Sequence, residues 1–270
     1  MRSILLHIAA DEALEARTQV ALDLARAFDG HMTCLQAVPY EYGVPGDYYG
    51  AIVADLIPAL REAADKLRAE CENRLAKDDV AWSWESFDGG ALEPLLQRSA
   101  LSDVVVVGSR EPASTASSLL ARQMAVRGAA PMMLVPEHAN GLNCGGTAIV
   151  AWNGSAEASR ALRAAVPLLG KAKSVVLASV SGERDADTSS DLPAVEGAEY
   201  LSRHGIACEM IDFPIGDRTV AEVLTEVAAR REAAYLVMGA YGHSRLVETV
   251  MGGVTRDLFN DPPLPIFTSH

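Results

Sequence analysis

Apolar positions along the chain fall in short continuous runs, separated by longer stretches in which they recur every three or four residues. Ser3-Ile4-Leu5-Leu6-His7-Ile8-Ala9 is followed by a helical period over 12–28 and then by an apolar run over 32–38. Thr147-Ala148-Ile149-Val150-Ala151-Trp152 is followed in the same way by a helical period over 155–169 and an apolar run over 174–180. Runs apolar at successive residues suit strands buried on both faces, and the three-to-four period suits helices lying on them. The match continues. Asp103-Val104-Val105-Val106-Val107-Gly108-Ser109 answers Ala234-Tyr235-Leu236-Val237-Met238-Gly239-Ala240, each an apolar run ending at glycine. Pro131-Met132-Met133-Leu134-Val135 and Pro265-Ile266-Phe267-Thr268 close the two halves. Helical patterns over 56–75 and 91–99 correspond to those over 194–203 and 220–229. Trp82 and Trp84 share one strand face with Val80, a packing position.

Each half therefore reads β-α-β-α-β-α-β-α-β. This predicts an α/β fold of two tandem doubly wound domains, each a mostly parallel five-stranded sheet with helices on both faces. The Gly- and Asn-containing stretch between them predicts domains over 1–138 and 147–270 joined by a linker over 139–146. The 270 residues suffice for two such domains, and 49% hydrophobic against 22% charged residues gives each a core.

Charge narrows the function. A net charge of -13 without a run of Lys and Arg opposes nucleic-acid binding. Cys34, Cys71, Cys144 and Cys208 form no C-x-x-C pair and read as free thiols of a reducing compartment. The apolar start is interrupted by His7 and stopped by Asp11 and Glu12, so it reads as a first strand, not a leader. No other stretch is long enough to span a membrane. A cytoplasmic protein with no membrane association is expected.

One stretch carries chemistry: Gly239-Ala240-Tyr241-Gly242-His243-Ser244-Arg245-Leu246-Val247-Glu248-Thr249-Val250-Met251-Gly252-Gly253-Val254-Thr255. Its pattern is G-x-x-G, nine residues, then G-G-x-T, directly after a buried strand. Ligands of open parallel sheets bind beyond the carboxyl ends of the strands. Glycine there admits backbone N–H groups to an anion, and a helix starting near Val254 would add its N-terminal donors. The spacing alone suits a plain strand-to-helix turn equally well.

This stretch resembles the signature of the universal stress protein family, G-x2-G-x9-G followed by Ser or Thr, and both halves follow that family's order of elements. The resemblance implies a sheet order of 3-2-1-4-5 in each domain, with the domains paired through their last strands about a pseudo-twofold axis. It implies ATP, or a related adenine nucleotide, as ligand of the second domain. Ala151, Trp152 and Asn153 would border the adenine and ribose, and Val180 would pack on the adenine. Met238 precedes the motif, and Gly239 and Gly242 would lie against ribose and phosphates. Gly252, Gly253 and Val254 would present N–H groups to the outer phosphates. Thr255 would supply a hydroxyl, while His243 and Arg245 read equally as phosphate neighbours or as solvated loop residues.

Two departures bear on this. Asn153 stands where the family has Asp, so it cannot offer a charge to a Mg ion accompanying the nucleotide. Gly253 stands where Ser or Thr is usual. The first domain departs further: Glu111 replaces the second glycine, Ala121-Arg122 falls where the later glycine is counted, and Ala9 takes the Asp position. No nucleotide site is expected there. The loop over 39–50, with Tyr40, Tyr42, Tyr48 and Tyr49, reads as a surface loop capping the sheet, or as the lining of a small-molecule pocket or a partner surface. No Ser-His-Asp order, carboxylate pair or metal-ligand spacing stands out, so no catalytic residue is assigned. The leading reading is an ATP-binding stress-response sensor or regulator, with an unidentified protein partner and room for a further homodimer. The alternatives are a nucleotide-free tandem adaptor and a slow ATPase.

Overall fold

The computed structural model describes residues 1–38, 48–110, 118–181, 192–240 and 253–270, of which 48–56 are described by their backbone. The first half contains β1 (Ser3–Ile8), α1 (Leu14–Phe28), β2 (His31–Val38), α2 (Tyr48–Leu75), β3 (Ala81–Asp88), α3 (Leu92–Ser99), β4 (Val104–Gly108), α4 (Leu119–Arg127) and β5 (Met132–Val135). The second contains β6 (Thr147–Ala151), α5 (Ala156–Leu169), β7 (Ser174–Ser181), α6 (Ala194–Arg203), β8 (Glu209–Pro214), α7 (Val220–Arg230), β9 (Ala233–Gly239), α8 (Gly253–Asn260) and β10 (Ile266–Ser269).

The ten strands form one sheet in the order β3-β2-β1-β4-β5-β10-β9-β6-β7-β8. Each half thus has the expected 3-2-1-4-5 order, and every pairing within a half is parallel. The halves join through an antiparallel pairing of β5 with β10, with Leu134 opposite Ile266, Met133 opposite Phe267 and Met132 opposite Thr268. Met133 and Phe267 hold equivalent places in their strands, so the pseudo-twofold axis passes between them. The pairing also buries two strand edges that would otherwise be open to other chains.

Strand side chains alternate between two cores. Ile4, Leu6, Ile8, Ala148, Val150 and Trp152 face α1, α2, α5 and α6, whereas Leu5, Ile149, Val176 and Met238 face α3, α4, α7 and α8. That alternation puts successive residues of each strand end on opposite faces of the sheet.

Local chemistry sets several helix starts. Ser155 caps α5 by accepting the Ala158 N–H at 3.2 Å, and Thr219 with Glu222 forms a capping box on α7. α2 begins at Tyr48, eight residues before the expected start at 56. The helix carries Pro58 in its interior and takes in Tyr48 and Tyr49, so the end of the Tyr-rich stretch is helical. The rest of that stretch, 39–47, lies outside the described residues. The connection between the halves is packed: Leu142 and Cys144 are buried in the first core, and the Leu142 N–H donates to Asp23 Oδ2 at 2.8 Å.

Candidate functional site

Each half reverses its strand order between its first and fourth strands, β1 with β4 and β6 with β9, and in open sheets of this kind the binding crevice lies beyond the carboxyl ends of such strands. The two halves fill the α1/α5 side of this crevice differently. In the second, the first turn of α5 closes on Gly239. A Cβ there would lie 2.5 Å from the Glu157 carbonyl carbon and 2.6 Å from the Ala158 nitrogen. Glycine at 239 is thus required by the approach of a helix to a strand end. In the first half, Arg17 of α1 occupies the crevice. Its guanidinium pairs with Asp11 at 2.7 Å and donates to the carbonyls of His7 at 3.2 Å and Ala9 at 3.3 Å. Its Nη1 lies 2.5 Å from where a Cβ on Gly108 would stand. The Arg17 side chain is 0% exposed and that of Asp11 8%.

The opposite face, under α4 in one half and α8 in the other, separates the halves more sharply. Ala151, Val180 and Met238 all project to this face at the carboxyl ends of β6, β7 and β9, with Val254 of α8 on the same core. The register of β1 with β4 and of β6 with β9 makes His7 the counterpart of Ala151. An imidazole therefore stands in the first half where the second has a methyl group. Burial, with the nearby Arg17 charge adding to it, lowers the His7 pKa to about 3 and keeps it neutral.

The helix starts differ as well. Gly108 pairs with Val135 and Gly239 with Ser269, so the first half is three residues shorter between its fourth and fifth strands. The residue equivalent to Gly252 is therefore Ser118, not Ala121. Counting the family's spacing forward from Gly108 overshoots, and Ala121 and Arg122 lie inside α4. Ser118 caps α4, accepting the Ala121 N–H at 3.1 Å. At α8 the first residue is Gly253, and a Cβ there would meet nothing within 4 Å. One helix start is closed by its own side chain; at the other, among the described residues, there is open space where a Cβ on Gly253 would stand.

Three solved structures match the chain along its whole length. A universal stress protein from Archaeoglobus fulgidus DSM 4304 matches at 15% identity and TM-score 0.73, over 98% of this chain and 97% of that one. A putative universal stress protein from Pseudomonas aeruginosa UCBPP-PA14 matches at 15% identity and TM-score 0.56, over 100% and 93%. A functionally unknown protein from Pseudomonas aeruginosa PAO1 matches at 14% identity and TM-score 0.61, over 100% and 92%. The chain has the tandem universal stress protein fold. No protein-family model and no curated protein matches it.

Within that fold the expected site residues divide. Ala151, Val180, Met238 and Val254 share one face and one end of the sheet, beside Gly253. Trp152 projects to the other face. It is 5% exposed, its indole N–H donates to the Leu192 carbonyl at 3.1 Å, and its ring lies against Gly197 of α6. Asn153 holds the turn into α5, its Oδ1 accepting the Ser155 N–H at 3.2 Å and the Ser155 hydroxyl at 2.8 Å. Gly239 is covered by α5, and Thr255 is buried in the first turn of α8. Gly242, His243, Arg245 and Gly252 lie outside the described residues, as does Glu111.

The features missed in the sequence are Arg17 with Asp11, the Ser118 cap and the role of His7. Arg17 had a signal. It falls on the apolar stripe of α1 formed by Ala13, Val20, Ala21 and Leu24, where a charge must be paired. Among the described residues no cluster of three His, Cys, Asp or Glu could hold a metal ion, and no helix is long and apolar enough to cross a membrane.

Proposed function

We propose that this chain binds one adenine nucleotide, ATP or a close relative, at the α8 side of the second half. In this reading it is a cytoplasmic stress-response sensor or regulator and not a turnover enzyme. The domains run over 1–138 and 147–270, with 139–146 between them. The observation that carries the reading is the contrast of helix starts: α4 is capped by Ser118, while α8 opens with an unobstructed Gly253. An open helix start offers unpaired N–H groups and positive partial charge to a phosphate. Beside it, Ala151, Val180 and Met238 give an apolar floor suited to a base. The first half has His7 and a capped helix in the corresponding places.

Gly252 and Gly253 supply backbone donors, Gly242 keeps the loop free of side chains, and His243 and Arg245 stand near enough in sequence to meet phosphate charge. Asn153 is neutral and engaged in a turn, so it brings no charge to a Mg ion. Holding phosphates is not hydrolysing them, which needs a positioned base or water and charge stabilisation in the transition state.

The test is calorimetric titration of ATP into the wild-type chain and Gly253→Val. The fold has room for the added side chain, so the variant should melt like the wild type while binding ATP at least about tenfold more weakly. Equal affinity in the two would place the site elsewhere. Absence of binding to the wild type would favour a nucleotide-free adaptor built on the same fold.

A further inference from the structure

Thr268 is the third residue of β10 and is 1% exposed, and its hydroxyl has no hydrogen-bond partner among the described residues. Its side chain projects to the α8 face: Ile266, two residues earlier, belongs to that core, while Phe267 between them belongs to the other. In register it lies beside Met238 of β9, one of the residues flooring the proposed site. Helices of a doubly wound sheet run antiparallel to the strands, so the start of α8 returns to this same carboxyl end.

An unpaired buried hydroxyl is costly and rare in folded proteins, and an isosteric valine would remove the cost. The pseudo-twofold supplies a comparison within the chain. The first-half counterpart of Thr268 is Leu134, which is 0% exposed and apolar. Thus the hydroxyl appears in the half whose helix start is open, and a plain aliphatic residue appears where Ser118 caps the helix. Packing alone gives no reason for that difference.

We infer that Thr268 is a further ligand-binding residue of the second-half site, its hydroxyl donating a hydrogen bond to a phosphate oxygen of the bound nucleotide. The inference rests on the nucleotide reading above and adds to it a residue outside the glycine motif. It also gives that site a preference for the phosphorylated ligand over the bare nucleoside. The ligand's oxygen completes the pairing that the protein leaves open.

The experiment titrates ATP and adenosine separately into the full-length wild type, Thr268→Val and Thr268→Ser, with melting of each ligand-free protein alongside. Thr268→Val should weaken ATP binding about ten- to a hundredfold, the range for a hydrogen bond to a charged acceptor. It should leave adenosine affinity unchanged and melt no lower than the wild type. Thr268→Ser, which keeps the hydroxyl, should retain most of the ATP affinity. Equal ATP affinity in wild type and Thr268→Val overturns the inference while leaving the nucleotide reading intact. A parallel loss of adenosine binding also overturns it, because the effect would then come through the fold. A wild type that binds no ATP overturns both.

Discussion

The Arg17–Asp11 pair is the strongest test of how the first half is built. Arg17 is buried completely, and Asp11 supplies the negative charge that balances it. The two carbonyls that also accept from the guanidinium, those of His7 and Ala9, satisfy hydrogen bonds but leave the charge uncompensated. Asp11→Ala therefore strands a buried cation, a change that typically costs about 3–5 kcal/mol. It also removes the 2.9 Å bond from the Ala13 N–H to Asp11 Oδ1 at the start of α1. At about 2–4 °C per kcal/mol for chains near this size, melting should fall by roughly 6–20 °C. Asp11→Ala combined with Arg17→Met removes both charges and should recover part of the loss, with a coupling of about 2–3 kcal/mol in the double-mutant cycle. Urea unfolding at pH 7, followed by tryptophan fluorescence and circular dichroism together, measures this and checks that the transition is cooperative. Because the pair is shielded from solvent, 1 M salt should change the coupling little. A loss below about 1 kcal/mol for Asp11→Ala, or additive single effects, would show that Arg17 is not held by Asp11.

His7 gives a pH signature. Its folded-state pKa, lowered to about 3, lies below its unfolded value near 6.5, so the unfolded chain takes up the proton first. Its contribution is fully present above about pH 6.5 and is lost as pH falls towards 3, at about 1.4 kcal/mol per pH unit. The denaturant midpoint of wild type should fall relative to that of His7→Gln as pH drops from 7 to 4; parallel curves would refute it. Gly239→Ala forces a Cβ against the backbone of α5 and should cost about 1–3 kcal/mol in urea unfolding, and a neutral result would refute the close approach. ATP turnover, followed by phosphate release, should stay far below ~1 per second, since no base stands in the described part of the site. Turnover at or above that rate would revive the enzyme reading.

Strand positions were legible because runs such as 103–109 and 234–240 are apolar at successive residues, and the internal repeat showed which strand answers which; the strand order and the β5–β10 junction were legible only through the resemblance to the universal stress protein family. Helix faces were legible through their period. The start of α2 was not, because Tyr48 and Tyr49, which read with the Tyr-rich loop, belong to the helix. The site was legible only as a motif. Whether a motif residue faces the ligand side depends on strand alternation, which sends Ala151 and Met238 one way and Trp152 and Gly239 the other. Ser118 was hidden by a three-residue difference in spacing, visible only once Gly108 and Val135 were seen to pair. Arg17 was hidden because its partners, Asp11 and two carbonyls, come together only when the chain turns from β1 into α1. Thr268 was hidden because an orphaned hydroxyl is a property of packing and not of sequence.

Native mass spectrometry of the purified full-length chain, titrated with ATP, measures the central claim of asymmetry. One nucleotide per chain is expected at saturation, lost in Gly252→Val and retained when Gly108 is replaced by alanine. Two equivalent nucleotides per chain, or one that survives Gly252→Val, would contradict the account.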